Sequence, residues 1–339
     1  MQRMVWAVLI TFAASLALGP WAIRELRKLK VGQNVYELAP QTHKAKQGTP
    51  TMGGLVFALI ALVVGFALRV GAFSWQTDMA LALAAFALLN LLIGFTDDFT
   101  KLRMKHNQGL TEWQKLCLQI VVAALFSVYC YMHPQVGSSI YIPFFCVTWE
   151  MGLFYVPAMM FVIICTTNGA NLLDGLDGLC GGVSSVGMAT FAVLALLFAA
   201  AAPAVDEQNN LLNMGILCAA VCGALLGYLR FNLHPAQVIM GDTGSMFLGG
   251  LMAAVAIMLR LPLLIPIAGG AYAVSLLSVF LQRIYFKATH GKRIFKMSPL
   301  HHHFELCGVP ETRIVSMYAI ATVVLCLIAL LGIAGHGSL

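Results

Sequence analysis

Long apolar stretches, each separated by a shorter polar one, run the length of the chain. A membrane-spanning helix needs about 20 mostly apolar residues. Windows of that kind fall near residues 4–22, 53–71, 78–95, 113–132, 152–167, 179–202, 211–229, 243–260, 262–282 and 313–334. The fifth is short, and the ninth carries Pro262 and Pro266 near its start. The pattern predicts an all-α polytopic membrane protein of about ten transmembrane helices, forming one integral-membrane domain over residues 1–339. The first window follows Met1-Gln2-Arg3 and could pass for a signal peptide. No small-residue cleavage site follows it, however, and Pro20-Trp21 leads into a basic run, so it reads as a retained first helix.

Composition agrees with this pattern. Hydrophobic residues make up 60% of the 339 and charged residues 10%, with a mean hydropathy of +0.85. A soluble domain carries about 25% charged residues, so the apolar excess must face lipid. That excludes a soluble enzyme, a disordered chain and a nucleic-acid binder, and it makes the net charge of +6 a feature of the membrane edge. Nine Cys (117, 130, 146, 165, 180, 218, 222, 307 and 326) sit mostly in apolar runs without a CxxC pair, and read as small buried hydrophobes.

The basic residues orient the chain. With ten spans both termini share a side, and so do all loops that follow odd-numbered spans. Those loops hold Arg24, Arg27, Lys28, Lys30, Lys44 and Lys46, then Lys101, Arg103, Lys105 and Lys115, then Arg230, and finally Arg283, Lys287, Lys292, Arg293, Lys296 and Arg313. That is 17 of the 20 Lys and Arg, leaving only Arg3, Arg69 and Arg260 opposite. Lys/Arg excess marks the cytoplasm, so both termini are expected outside.

Carboxylates near lipid are costly and point to function when several converge. Asp97, Asp98, Asp174, Asp177 and Asp242 all fall at or just past the expected cytoplasmic ends of helices, whereas Asp206 and Glu207 fall in an outer loop and read as solvated. Asp97 and Asp98, in Gly-Phe-Thr-Asp-Asp-Phe-Thr-Lys, diverge by about 100° on a helix and so are expected to do different work, with Lys101 as a cationic partner. Asn168, Asn171, Asp174 and Asp177 recur every three residues, a spacing that lines polar groups along one face of a helix or tight helical loop. Gly175 and its neighbouring glycines allow a ligand to approach the backbone. Asp242, in Met-Gly-Asp-Thr-Gly-Ser, begins a span, where it suits either an N-cap or a phosphate-facing site. The run Ser298-Pro299-Leu300-His301-His302-His303-Phe304-Glu305 lies in a loop with Lys292, Arg293 and Lys296. Adjacent His do not converge on zinc as spaced His do, so phosphate or sugar recognition fits better. Lys46 and Thr51, around Gly-Thr-Pro-Thr, are placed to reach a phosphate.

Clustered Asp without thiolates suits Mg²⁺ bridging carboxylates to substrate phosphates, while Lys and His add charge for a phosphoryl group in transit. This favours phosphoryl transfer from a soluble donor to a lipid acceptor. A transporter remains the alternative, although its carboxylates usually sit at mid-membrane.

Taken in order, Gly-Thr-Pro-Thr-Met-Gly-Gly, Gly-Phe-Thr-Asp-Asp-Phe-Thr-Lys, Asn-Leu-Leu-Asp-Gly-Leu-Asp-Gly, Met-Gly-Asp-Thr-Gly-Ser and Pro-Leu-His-His-His-Phe-Glu resemble the phospho-N-acetylmuramoyl-pentapeptide transferases over essentially the whole chain. Leu173 stands where Thr is common. The resemblance implies a Mg²⁺-dependent, homodimeric enzyme of the bacterial cytoplasmic membrane. Its partners would be UDP-N-acetylmuramoyl-pentapeptide and undecaprenyl phosphate, and its products lipid I and UMP. It implies Asp242 as metal ligand and Asp97, Asp98, Asp242 and His301 as catalytic. Substrate would be held by Lys46, Thr51, Lys101, Lys115, Asn168, Asn171, Asp174, Gly175, Leu176, Asp177, Asn232, Gln282, His302 and His303. A relative that transfers N-acetylglucosamine phosphate is the closest alternative.

Overall fold

The computed structural model describes residues 1–28, 48–72, 78–104, 109–145 and 147–333. Each of the ten apolar windows becomes helical: α1 (Gln2–Lys28), α2 (Gly54–Ala67), α3 (Met79–Met104), α4 (Glu112–Met132), α5 (Tyr155–Leu173), α6 (Leu179–Ala201), α7 (Val205–Asn232), α8 (Gly241–Met258), α9 (Gly270–Ala288), the short α10 (Leu300–Leu306) outside the windows, and α11 (Glu311–Leu331). Eight of these are long and apolar enough to cross a membrane. The short helical segment Pro262–Ala268 and α9 together make a ninth candidate, bent by 84° at its break. Pro262 and Pro266 each stand in the first turn of a short helical piece, Pro262–Leu264 and Ile265–Ala268, where no N–H is needed, and the break before α9 falls at Gly269. At 14 residues α2 is about 21 Å long, shorter than the hydrocarbon layer.

Three expectations need correction. α3 runs past residue 95 to Met104, which puts Asp97 and Asp98 within the helix rather than at its end. Residues 205–210 are the first turns of α7, so Asp206 and Glu207 favour a helix N-terminus instead of lying in a loop. A small antiparallel hairpin, β1 (Ser139–Ile142) with β2 (Val147–Glu150), pairs Ser139 with Glu150, and Tyr141 N–H donates to the Arg260 carbonyl at 2.8 Å. Four-residue strands are too short to stand out from flanking apolar sequence.

Burial separates inner from outer helices. In α8 89% of the spanning window is buried and in α7 83%, against 22% in α11. α7 packs on α1, α2 and α6, and α8 on α3 and α5. Large apolar side chains such as Val63, Leu125, Phe161 and Leu331 cover the outside, as lipid requires. Cys130, Cys180, Cys218 and Cys326 are buried as expected, but Cys117 and Cys307 are exposed. Cys146, Lys30, Lys44, Lys46 and Lys105 lie outside the described residues.

Candidate active site at the start of α8

The site forms where helix ends meet. Gly94 of α3 passes so close to α8 that a Cβ there would collide with the Asp242 carbonyl. Gly241, at φ +72, turns the chain into α8 and keeps a side chain out of the space beside Thr51 and Asp98. One turn on from Gly94, Asp98 is 4% exposed and points its carboxylate at the start of α8. It accepts from Asp242 N–H at 3.2 Å, from Thr243 N–H at 2.9 Å and from the Thr243 hydroxyl at 2.7 Å. A helix start leaves such donors unpaired. Asp98 therefore caps α8 from another helix, and Asp242 does not cap its own.

Asp242 faces the opposite way. Its Oδ2 meets Lys115 Nζ at 2.7 Å and Lys101 Nζ at 3.0 Å, while its Oδ1 accepts from Asn171 Nδ2 at 2.7 Å. Asn171 also donates to the Ser245 hydroxyl at 3.0 Å. Asp97 meets Lys101 at 2.6 Å and accepts Leu110 N–H at 2.9 Å. Carboxylate oxygens of Asp97, Asp98 and Asp242 lie within 4.8 Å of one another. Two ammonium groups against three carboxylates leave the centre short of positive charge. Asp242 is also the most accessible of the three, its side chain 17% exposed against 5% and 4%.

Asp177 does not join this centre. α5 ends at Leu173, Asp174 follows as its C-cap, and Gly178 at φ +79 starts the next turn, so the three-residue repeat does not continue as one face. Asn168, Asn171 and Asp177 go to separate places. Asn168 donates to Gln119 Oε1 at 3.0 Å and Asn171 to Asp242, whereas Asp177 faces His234 at 3.2 Å and Glu311. Gly175 sits under His301 and His302, and the Leu176 side chain is buried in the core.

Other expected contact residues brace the backbone. Asn232 accepts Gly178 N–H and donates to the Val238 carbonyl. Gln282 spends its amide on Ile294 and Phe295. The three His part company: His301 is fully buried, His302 meets Glu305 at 3.1 Å, and His303 accepts Lys296 N–H at 3.0 Å. Sequence reasoning missed Thr243, Ser245, His234 and Glu311. The first two stand within the Met-Gly-Asp-Thr-Gly-Ser motif, which was the available signal; nothing local marks the other two.

A family model described as glycosyl transferase family 4 matches residues 79–260, more than half of the chain. A phospho-N-acetylmuramoyl-pentapeptide-transferase signature matches residues 46–57. The phospho-N-acetylmuramoyl-pentapeptide-transferase of Clostridium novyi (strain NT) is 45% identical over 334 residues, covering 98% of each chain. The chain belongs to the phospho-N-acetylmuramoyl-pentapeptide transferase family. Proteins of that name from Clostridioides difficile (strain 630), 43% identical over 331 residues and 98% of each chain, and Heliobacterium modesticaldum, 44% over 324 residues and 96% of each chain, agree. In this transferase the region of the family model holds the whole centre, Asp97 to Asp242. The signature takes in Lys46 and Thr51, and the His run lies beyond both matches.

Proposed function

We propose that this protein moves phospho-N-acetylmuramoyl-pentapeptide from UDP-N-acetylmuramoyl-pentapeptide to undecaprenyl phosphate, forming lipid I and UMP, at the cytoplasmic face of the bacterial inner membrane. The chain is one domain, crosses that membrane ten times with both termini outside, and works as a homodimer. The observation that carries the reading is the centre itself, in which Lys101 and Lys115 converge on Asp242 at one end of an apolar bundle.

The donor set suits Mg²⁺. It consists of oxygen atoms, the hard ligands this ion takes. Asp98 accepts backbone N–H groups at the start of α8, whereas Asp242 faces two side-chain ammonium groups and is the more exposed, so Asp242, with Asp97 beside it, would hold the ion. When bound, Mg²⁺ supplies charge neutralisation to the donor diphosphate. Lys101 and Lys115 bind the same diphosphate as the reaction develops charge. Asp97 orients the acceptor phosphate. A phosphate monoester has its second pKa near 6, so the acceptor is mostly a dianion at neutral pH and gains little from a general base. Its oxygen attacks the β-phosphorus directly and UMP leaves.

The turn 174–178, with Lys46, Asn171 and Thr51, binds the nucleotide end, and His301, His302 and His303 flank the sugar-phosphate. Asn168, Asn232 and Gln282 act at one remove, through the backbone and side chains they hold. The test is UMP release by purified protein with undecaprenyl phosphate and Mg²⁺, offered either UDP-N-acetylmuramoyl-pentapeptide or UDP-N-acetylglucosamine. Preference for the first supports the proposal. Preference for the second, or substrate flux without UMP, overturns it, and light scattering that gives one chain per micelle overturns the dimer.

A further inference from the structure

Residues 174–178 contain two glycines, with local bonds from Asp174 N–H to the Asn171 carbonyl and from Leu179 N–H to the Leu176 carbonyl. Distant segments hold the rest. The Asp177 N–H donates to Glu311 Oε1 at 2.6 Å, and the next N–H, that of Gly178, donates to Asn232 Oδ1 at 3.2 Å. The Asp177 carboxylate accepts Ala236 N–H at 3.0 Å and meets His234 Nδ1 at 3.2 Å. His234 Nδ1 also lies 3.4 Å from Glu311 Oε2, so one imidazole bridges two carboxylates that would otherwise repel.

On its other side the turn rests on the same late segment. A Cβ on Gly175 would strike His301 Nε2 and lie 3.0 Å from His302 Nε2. Residues 301–311 thus grip the turn from both ends.

Glu311 is the first residue of α11, where an acidic side chain ordinarily just complements the helix dipole from solvent. Here its side chain is 9% exposed and is aimed at a loop amide 134 positions away. Burying a carboxylate is costly unless it is well bonded, and the bond it makes serves the turn rather than α11.

We infer that Glu311, with His234, is a positioning residue for donor binding: it sets the turn 174–178 in the conformation that receives the UDP end of the substrate. This rests on the proposed function, which assigns that turn to the nucleotide. A preset loop binds more tightly because less freedom is lost on binding.

The experiment compares wild type, Glu311→Ala, Glu311→Gln and His234→Ala as full-length protein in detergent. Each is read by donor and acceptor kinetics and by hydrogen–deuterium exchange of the peptide spanning residues 174–178. Glu311→Ala should raise the donor KM about tenfold, the value of one charge-assisted hydrogen bond. The acceptor KM and kcat should stay within about twofold, and exchange in the turn should accelerate. Glu311→Gln keeps a carbonyl for the Asp177 N–H and should recover most of the loss. His234, whose side chain is 45% exposed, should give a smaller change in the same direction when replaced.

An unchanged donor KM, an equal rise in both KM values, or a glutamine variant as impaired as the alanine one would overturn the inference. The exchange measurement needs no turnover. If wild type releases no UMP from the donor, the proposed function fails, while slow exchange in the turn and its loss in Glu311→Ala still report on the grip itself. Unchanged exchange in Glu311→Ala would overturn the grip. If Glu311→Ala does not fold, the glutamine and His234→Ala variants decide by the same two readouts.

Discussion

Replacing Asp98 separates a structural from a chemical role in the Asp centre. Its carboxylate takes three hydrogen bonds, two of them from the backbone at the start of α8. In Asp98→Ala the Asp242 and Thr243 N–H groups lose their acceptor in a buried setting. Each buried donor left unpaired costs about 1–3 kcal/mol, which sums to about 2–6 kcal/mol. Removing one of three neighbouring carboxylates relieves some repulsion, so the net loss should be about 2–4 kcal/mol. Asp98→Asn keeps one carbonyl acceptor but turns an amide N–H₂ toward other donors, and should cost about 1–2 kcal/mol. The buried thiols Cys130, Cys180, Cys218 and Cys326 provide the assay, since a thiol-reactive dye reaches them only as the bundle opens, once the exposed Cys117 and Cys307 have been blocked. In a thermal ramp in detergent, Asp98→Ala should label at the lowest temperature, Asp98→Asn next and wild type last. Activity should fall in the same order because Asp242 rides on the displaced helix start. An alanine variant that melts with wild type yet has no turnover would refute the capping role and place Asp98 in direct contact with substrate.

Asp242→Asn should lower turnover far more than stability. It turns an amide N–H₂ toward Lys101 and Lys115 and so should cost about 1–2 kcal/mol, like Asp98→Asn, while turnover falls about 10²–10³-fold, and near-normal activity at ordinary Mg²⁺ would remove Asp242 from the metal site. Gly94→Ala pushes a methyl into the Asp242 carbonyl and should destabilise by about 1–3 kcal/mol; a variant as stable and active as wild type would show that α3 and α8 can separate freely. Gly175→Ala should weaken donor binding by displacing His301, and an unaltered donor KM would count against the packing of the turn on the His segment. Direct attack by the lipid phosphate predicts inversion at a chiral, isotopically labelled β-phosphate, whereas net retention or a trapped phospho-Asp97 peptide formed without acceptor would establish a two-step route.

Membrane class, helical segments and motif residues were all legible along the chain. Apolar windows are set by the length a helix needs to cross hydrocarbon, and that requirement is local. The sequence also marked Asp97, Asp242, Lys101 and Lys115, because charges beside lipid are costly wherever the chain later folds. It did not reveal that Asp97, Asp98 and Asp242 form one group while Asp177 sits beside His234 and Glu311 in another. Nor did it show that Asp98 serves the start of α8, or that Asn232 and Gln282 hold backbone. Those facts depend on which donors other helices leave unpaired and where. Asp98 and Thr243 are 145 positions apart, and Asp177 and Glu311 are 134 apart. A hydrogen bond forms only when donor and acceptor come within about 3 Å, and across such separations only the packed bundle sets that distance.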